Sequence, residues 1–233
     1  MRYCKMKVLG VLGGMGPEAT VAFLAKVVEK TPARKDQDHI HIVMDMDPSV
    51  PDRTEAILSG RRGEVVEVLC RMARRLVELG AEVLAIPCNT AHAFLEDLRR
   101  EVPVRVLDMV EEVVRAVPEV GRVGLLATTG TVRSGLYRKA FFEVGMETLE
   151  PSPSHQEALM GAVRAVKAGR HEEALGPLEE AARELRDAGA EVLVVGCTEL
   201  SLLLSTWEPP LPCVDSLDVL AEASVREALG GSS

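Results

Sequence analysis

Residues 73–88 read ARRLVELGAEVLAIPC, and residues 182–197 read ARELRDAGAEVLVVGC. The closing cysteines lie 197 − 88 = 109 positions apart, and the stretches share an Ala-Arg start, a Leu, and the run Gly-Ala-Glu-Val-Leu. Each reads as an amphipathic helix stopped by a glycine, followed by a short apolar strand. Each strand ends on a thiol. A second echo lies upstream, where residues 8–16, VLGVLGGMG, resemble residues 122–130, RVGLLATTG. Both are apolar strands that run into a small-residue loop and open a helix, and Pro17 suits the first turn of one such helix. The two matches keep the same order in both halves, so the chain reads as a duplicated α/β unit.

Periodicity predicts strands at 6–12, 39–45, 82–87, 104–107, 122–127, 146–149 and 192–196. Helices are expected at 17–30, 60–79, 90–101, 108–117, 131–144, 155–168, 171–188, 198–204 and 216–229. Strands alternating with helices imply parallel sheets covered on both faces. The expected fold is α/β, with two pseudo-symmetric Rossmann-like lobes and an active site in the cleft between them. In such sheets, ligands sit beyond the carboxyl ends of the strands. Cys88, Cys197, the GGMG loop and the ATTGT loop all fall at such ends.

Bulk properties remove several function classes. The 233 residues carry a net charge of −9 and only 3% aromatics, a poor match to nucleic-acid binding. No apolar run of membrane-spanning length occurs. The start of the chain, MRYCKMKVLGVLGG, lacks the apolar core and cleavage site of a signal peptide, so a cytoplasmic location is expected. The five cysteines are odd in number and none has CxxC spacing, which argues against a disulfide framework or a zinc ribbon. Cys4, Cys70 and Cys213 read as small buried hydrophobes. His39, His41, His155 and His171 show no ligand spacing, and no metal is expected.

Two equivalent lobes facing each other present two thiols across one cleft. That suits a reaction in which a proton leaves one face of a carbon and another returns to the opposite face. A free thiol has a pKa near 8.5, and positive neighbours or helix N-termini bring it towards working pH.

At these residues the sequence resembles the aspartate/glutamate racemase superfamily, and most of all its PLP-independent aspartate racemase branch. The matching pieces are GGMGPEAT (13–20), PDRT (51–54), CNTAH (88–92), ATTGT (127–131) and GCTEL (196–200), spread in order over nearly the whole chain. Glutamate racemases are similar but open with a DSGVGG-type loop and carry histidine where Glu199 stands here. The resemblance implies that Cys88 and Cys197 are the two bases. It implies that Asn89, Thr90, Thr198 and Glu199 bind the substrate carboxylate and ammonium, with Thr128, Thr131 and the backbone of Met15 contributing from the loops. It further implies that Arg53 grips a side-chain carboxylate, for which a guanidinium fork is suited. Lys167 takes a substrate-binding lysine's place, with Arg164 and Arg170 in nearby register. His92, one helical turn after Cys88, stays outside the catalytic set.

The implied reaction is interconversion of L- and D-aspartate, with glutamate also possible, and with no cofactor. The implied partner is a homodimer mate. By the same resemblance the first lobe covers 1–104 and 208–233, and the second 105–207. Three rival readings remain open: a broad-specificity or glutamate-preferring racemase, a dicarboxylate cis-trans isomerase using one cysteine as nucleophile, and a non-catalytic amino-acid-binding protein.

Overall fold

The computed structural model describes residues 6–231; Cys4 lies outside them. Two four-stranded sheets, all parallel, form the centre of two lobes. The first contains β1 (Leu9–Gly13), β2 (Ile42–Met46), β3 (Val83–Ala85) and β4 (Arg105–Val106) in the order β2-β1-β3-β4. The second contains β5 (Arg122–Ala127), β6 (Glu147–Leu149), β7 (Val192–Gly196) and β8 (Cys213–Asp215) in the order β6-β5-β7-β8. The orders are the same, and the central strands are buried throughout save Arg122 at the start of β5. Continuous apolar runs such as VLVV are what a strand covered on both faces requires.

The helices are α1 (Pro17–Lys30), α2 (Arg53–Ser59), α3 (Arg62–Glu78), α4 (Leu95–Glu101), α5 (Met109–Ala116), α6 (Thr129–Ser134), α7 (Leu136–Glu143), α8 (Pro153–Lys167), α9 (Glu172–Asp187), α10 (Thr198–Ser201) and α11 (Ser216–Ala228). None among the described residues is long and apolar enough to cross a membrane. Several expectations shift. The helix expected at 60–79 is preceded by a separate helix, α2, capped by Asp52, whose side chain accepts from the Glu55 N–H at 2.8 Å. The helix expected from 90 opens as a tight 3-10 turn, Thr90–Phe94, and becomes α-helical only at Leu95. The helix expected at 131–144 is two helices, because Gly135 adopts φ 71°, a left-handed conformation that ends a helical run. The strand β8 was not expected: its three residues follow Pro212 and are too short for a pattern.

The helix after each fourth strand crosses to the other lobe. Helix α5 follows β4 of the first sheet but packs on α7 and β8 of the second. Helix α11 follows β8 of the second sheet but packs on α1 and β3 of the first. Within the segment 208–233, then, β8 hydrogen-bonds into the second sheet while α11 covers the first. One apolar core runs through both lobes as a result, joining Leu9, Val11 and Phe23 to Val113, Leu125, Tyr137, Leu220 and Val225. Ion pairs fasten the crossing: Lys30 Nζ reaches Asp218 and Glu222, each at 2.9 Å, and Arg226 reaches Glu112 at 2.6 Å. The exchange holds the two sheets at a fixed separation and leaves a cleft where their carboxyl ends meet.

Candidate active site

A cavity of about 550 Å³ opens at the shared carboxyl ends, and both Cys88 and Cys197 line it. Met15, Arg53, Asn89 and Thr90 line it from the first lobe, and Thr128, Lys167, Thr198 and Glu199 from the second. Thr131 alone among the expected residues stands behind the wall. It is 1% exposed, and its hydroxyl lies 3.0 Å from those of both Thr90 and Thr128.

Cys88 follows β3 after a tight turn in which its N–H donates to the Ile86 carbonyl at 2.7 Å. His92 holds the same turn: its Nδ1 lies 2.9 Å from the Cys88 carbonyl oxygen. The carbonyl can only accept, so Nδ1 carries the hydrogen. Burial pushes the imidazole below its ordinary pKa, so the ring is neutral and acts as an anchor. Cys197 ends β7 directly and opens α10. Its thiol is pushed well up, by burial first and then by the Glu199 carboxylate, with the backbone N–H groups of Leu200 and Glu199 acting in the opposite direction.

Arg53 is buried, at 8% exposure, and sits in the first turn of α2 rather than in a surface loop. Its guanidinium donates only to carbonyls: Nη1 to Val50 and Pro51, and Nη2 to Met15, each at 3.2 Å. Its Nε is buried without a partner. A buried cation without a carboxylate partner of its own is costly, and here it faces a cavity that an anion can enter. Lys167, at the end of α8, reaches Glu199 Oε1 at 3.7 Å.

The Asn89 side chain is hydrogen-bonded at both ends. Its Nδ2 donates to Ser216 Oγ at 2.9 Å, and its Oδ1 accepts from Tyr137 OH at 2.5 Å. The residue therefore ties the first lobe to α7 and α11 while lining the cavity. Burial pushes the Tyr137 phenol upward, so it stays a donor. Three further wall residues are Arg164, an alternative in the Lys167 register, and Met160 and Val163, which the sequence does not single out. With Lys167 they follow the spacing of one helical face of α8, a pattern also used for ordinary core packing. Cys70 is buried on α3, while Cys213 is half-buried in β8 with its thiol raised to about 12 by burial. Among the described residues, no group of three or more His, Cys, Asp and Glu is placed to hold a metal ion.

Gly130 of the second lobe lies tight against the first. A Cβ there would lie 2.8 Å from Thr54 Cα and 2.8 Å from Thr90 Cγ2. Gly130→Ala is expected to cost about 1–3 kcal/mol, the usual range for forced overpacking. It should also disturb the threonine cluster at the cavity wall. Urea unfolding beside an activity assay checks this; an unchanged midpoint with unchanged activity would show that the lobes separate there without penalty.

A family model described as Asp/Glu/Hydantoin racemase matches residues 12–224. The broad specificity amino-acid racemase RacX of Bacillus subtilis (strain 168) is 27% identical over 230 residues, spanning 97% of this chain and 100% of that protein. The solved structure of Picrophilus torridus aspartate racemase superposes with a TM-score of 0.85 at 29% identity, covering 95% of this chain and 94% of that one. Glutamate racemase isoform RacE1 from Bacillus anthracis gives a TM-score of 0.68 at 20% identity, over 97% of this chain and 84% of that one, a likeness of fold alone.

Proposed function

The chain belongs to the Asp/Glu/hydantoin racemase family, and from that premise we propose that it racemises aspartate by moving protons between Cα and the two thiols, Cys88 and Cys197, without a cofactor. Membership makes it an amino-acid racemase; the finer reading is carried by one observation. Two thiols at equivalent strand ends line a single cavity that also holds a buried guanidinium with no carboxylate partner among the described residues.

The chemistry follows from that placement. The thiolate of one cysteine takes the Cα proton, and the S–H of the other supplies a proton to the opposite face. Each sulfur is base in one direction and acid in the other. The carbanion between these steps sits beside the α-carboxylate, so the wall must present donors that are already in position. The Thr90 and Thr128 hydroxyls share one hydrogen bond at 2.8 Å, and each lies 3.0 Å from the Thr131 hydroxyl, so they need no rearrangement as charge develops. Arg53 takes the side-chain carboxylate, and Glu199 receives the ammonium. Support for aspartate comes from Arg53 and from the likeness to the Picrophilus torridus enzyme.

A broad-specificity reading has its own support in the apolar wall formed by Leu58, Met160 and Val163, together with the match to RacX. Incubation with a panel of L-amino acids, followed by chiral chromatography, separates the two. Aspartate is expected to give the highest kcat/KM, and the aspartate assignment is lost if a neutral amino acid turns over with equal or higher efficiency. Running the same assay in deuterated water should place deuterium at Cα, which a cis-trans isomerase acting on an alkene would not do. The division into two lobes belongs to the same proposal, with the expected boundaries at 104/105 and 207/208 moved so that β4 stays with the first lobe and β8 with the second, as do a homodimer and a cytoplasmic location; light scattering tests the dimer.

A further inference from the structure

The two thiols have different neighbours. Cys197 Sγ lies 3.2 Å from Glu199 Oε2. A carboxylate only accepts, so the thiol donates, and the contact exists only while the sulfur is protonated. As a thiolate, Cys197 would face a second anion with no hydrogen between them. Glu199 is 6% exposed, and its Oε1 is buried without a hydrogen bond, its nearest cation being Lys167 Nζ at 3.7 Å. By the repeat offset, the residue equivalent to Glu199 in the first lobe is 199 − 109 = 90. Thr90 is uncharged, and its hydroxyl bonds Thr128 and Thr131. The cleft is therefore symmetric in its sulfurs and asymmetric in what stands behind them.

The geometry points to Glu199 as a positioning residue that makes Cys197 the resting proton donor, so that the free enzyme meets its substrate with Cys88 as the acceptor. This rests on the two-thiol reading of the site. In the favoured direction the Cα–H bond breaks and its proton joins the Cys88 sulfur, while the electron pair stays on Cα. The Cys197 S–H bond then breaks, its proton joins Cα on the opposite face, and the pair stays on Cys197. The product form holds Cys88 as thiol and Cys197 as thiolate beside Glu199. Water restores the resting form by taking the proton from Cys88 and giving one to Cys197. The opposite enantiomer must bind the swapped form, whose energy Glu199 raises. Enantiomers are equal in energy in water, so kcat/KM is the same in both directions whatever Glu199 does. The asymmetry shows in kcat and KM separately, and in which thiol is open to attack.

Several titratable groups surround the pair. Lys167 faces it from α8, Arg53 from α2 and Cys88 from across the cavity. Tyr137 comes from α7, and Asp215 comes from β8 by way of Ser201 at 2.5 Å. Lys167 is the one that pairs with Glu199. Removing the Glu199 charge favours the thiolate of Cys197; removing Lys167 leaves that charge uncompensated and disfavours it.

Alkylation by iodoacetamide across a range of pH, scored separately at each cysteine by peptide mass spectrometry, tests this without reference to turnover. In the unaltered protein Cys88 is expected to react faster. Glu199→Gln, of the same shape, should raise the Cys197 rate about tenfold or more at a pH near the free thiol value, equivalent to a shift of about one pKa unit. It should move that site's profile to lower pH and leave Cys88 unchanged. Lys167→Met should slow Cys197. If Glu199→Gln fails to fold, Glu199→Asp, which withdraws the carboxylate, should speed Cys197 by a smaller factor. An unmoved Cys197 profile in the folded variant, or an equal shift at Cys88, overturns the assignment. A protein that shows the alkylation shift but racemises nothing would sink the proposed activity and leave Glu199's effect on Cys197 standing.

Discussion

Cys88→Ala and Cys197→Ala are each expected to eliminate racemisation, with activity on either enantiomer falling by about three orders of magnitude or more. A positioned acid or base contributes roughly 10²- to 10⁴-fold, and either change removes the sole acid or base on one face. The diagnostic result is what survives. With one sulfur left, a variant can take the Cα proton from one enantiomer only and return a proton to the same face. In deuterated water each variant should therefore label one enantiomer without inverting it, and the two variants should label opposite ones. Proton NMR at Cα reads both outcomes. If either variant still inverts aspartate at a tenth of the original rate, the missing sulfur was not a base.

Arg53→Met is expected to lower kcat/KM for aspartate by about 2–5 kcal/mol of transition-state binding, roughly thirty- to several-thousand-fold, as for loss of one partner of a buried charge pair. The size follows from the setting. The guanidinium has carbonyl partners and, among the described residues, no carboxylate, so on the proposed reading the substrate's side-chain carboxylate completes the pair. Discrimination must fall along with rate: the preference for aspartate over alanine should collapse in Arg53→Met, whereas a merely structural role would lower both substrates together. Steady-state kinetics on the two amino acids checks this. An unchanged aspartate-to-alanine ratio would remove Arg53 from the specificity role.

The cleft was readable in the sequence because duplication makes position informative. A cysteine after Gly-Ala-Glu-Val-Leu twice over identifies a strand end in each half, and parallel sheets gather such ends. Other features leave no local trace. Tyr137 and Asn89 are 48 positions apart and Asn89 and Ser216 are 127 apart, so nothing near Asn89 shows that its amide is already occupied. Helix α2 was hidden by Pro51, although Asp52 and Glu55 have the spacing of a cap. Arg53 consequently read as a loop residue, when the first turn of that helix is what buries it. The Cys197–Glu199 contact spans two positions, and its geometry depends on how α10 begins.

The crossing of α5 and α11 bears on how such a chain could have arisen. Each half, taken alone, lacks the helix that shields its own sheet and carries the one its sibling needs. Two copies of a single ancestral half would have been obliged to associate as a reciprocal pair, each lending its tail to the other, with one sulfur apiece facing across the seam. Joining such halves end to end would turn a concentration-dependent partnership into an intramolecular one. Once they were covalently linked, the two sides were free to diverge, as Thr90 and Glu199 have done.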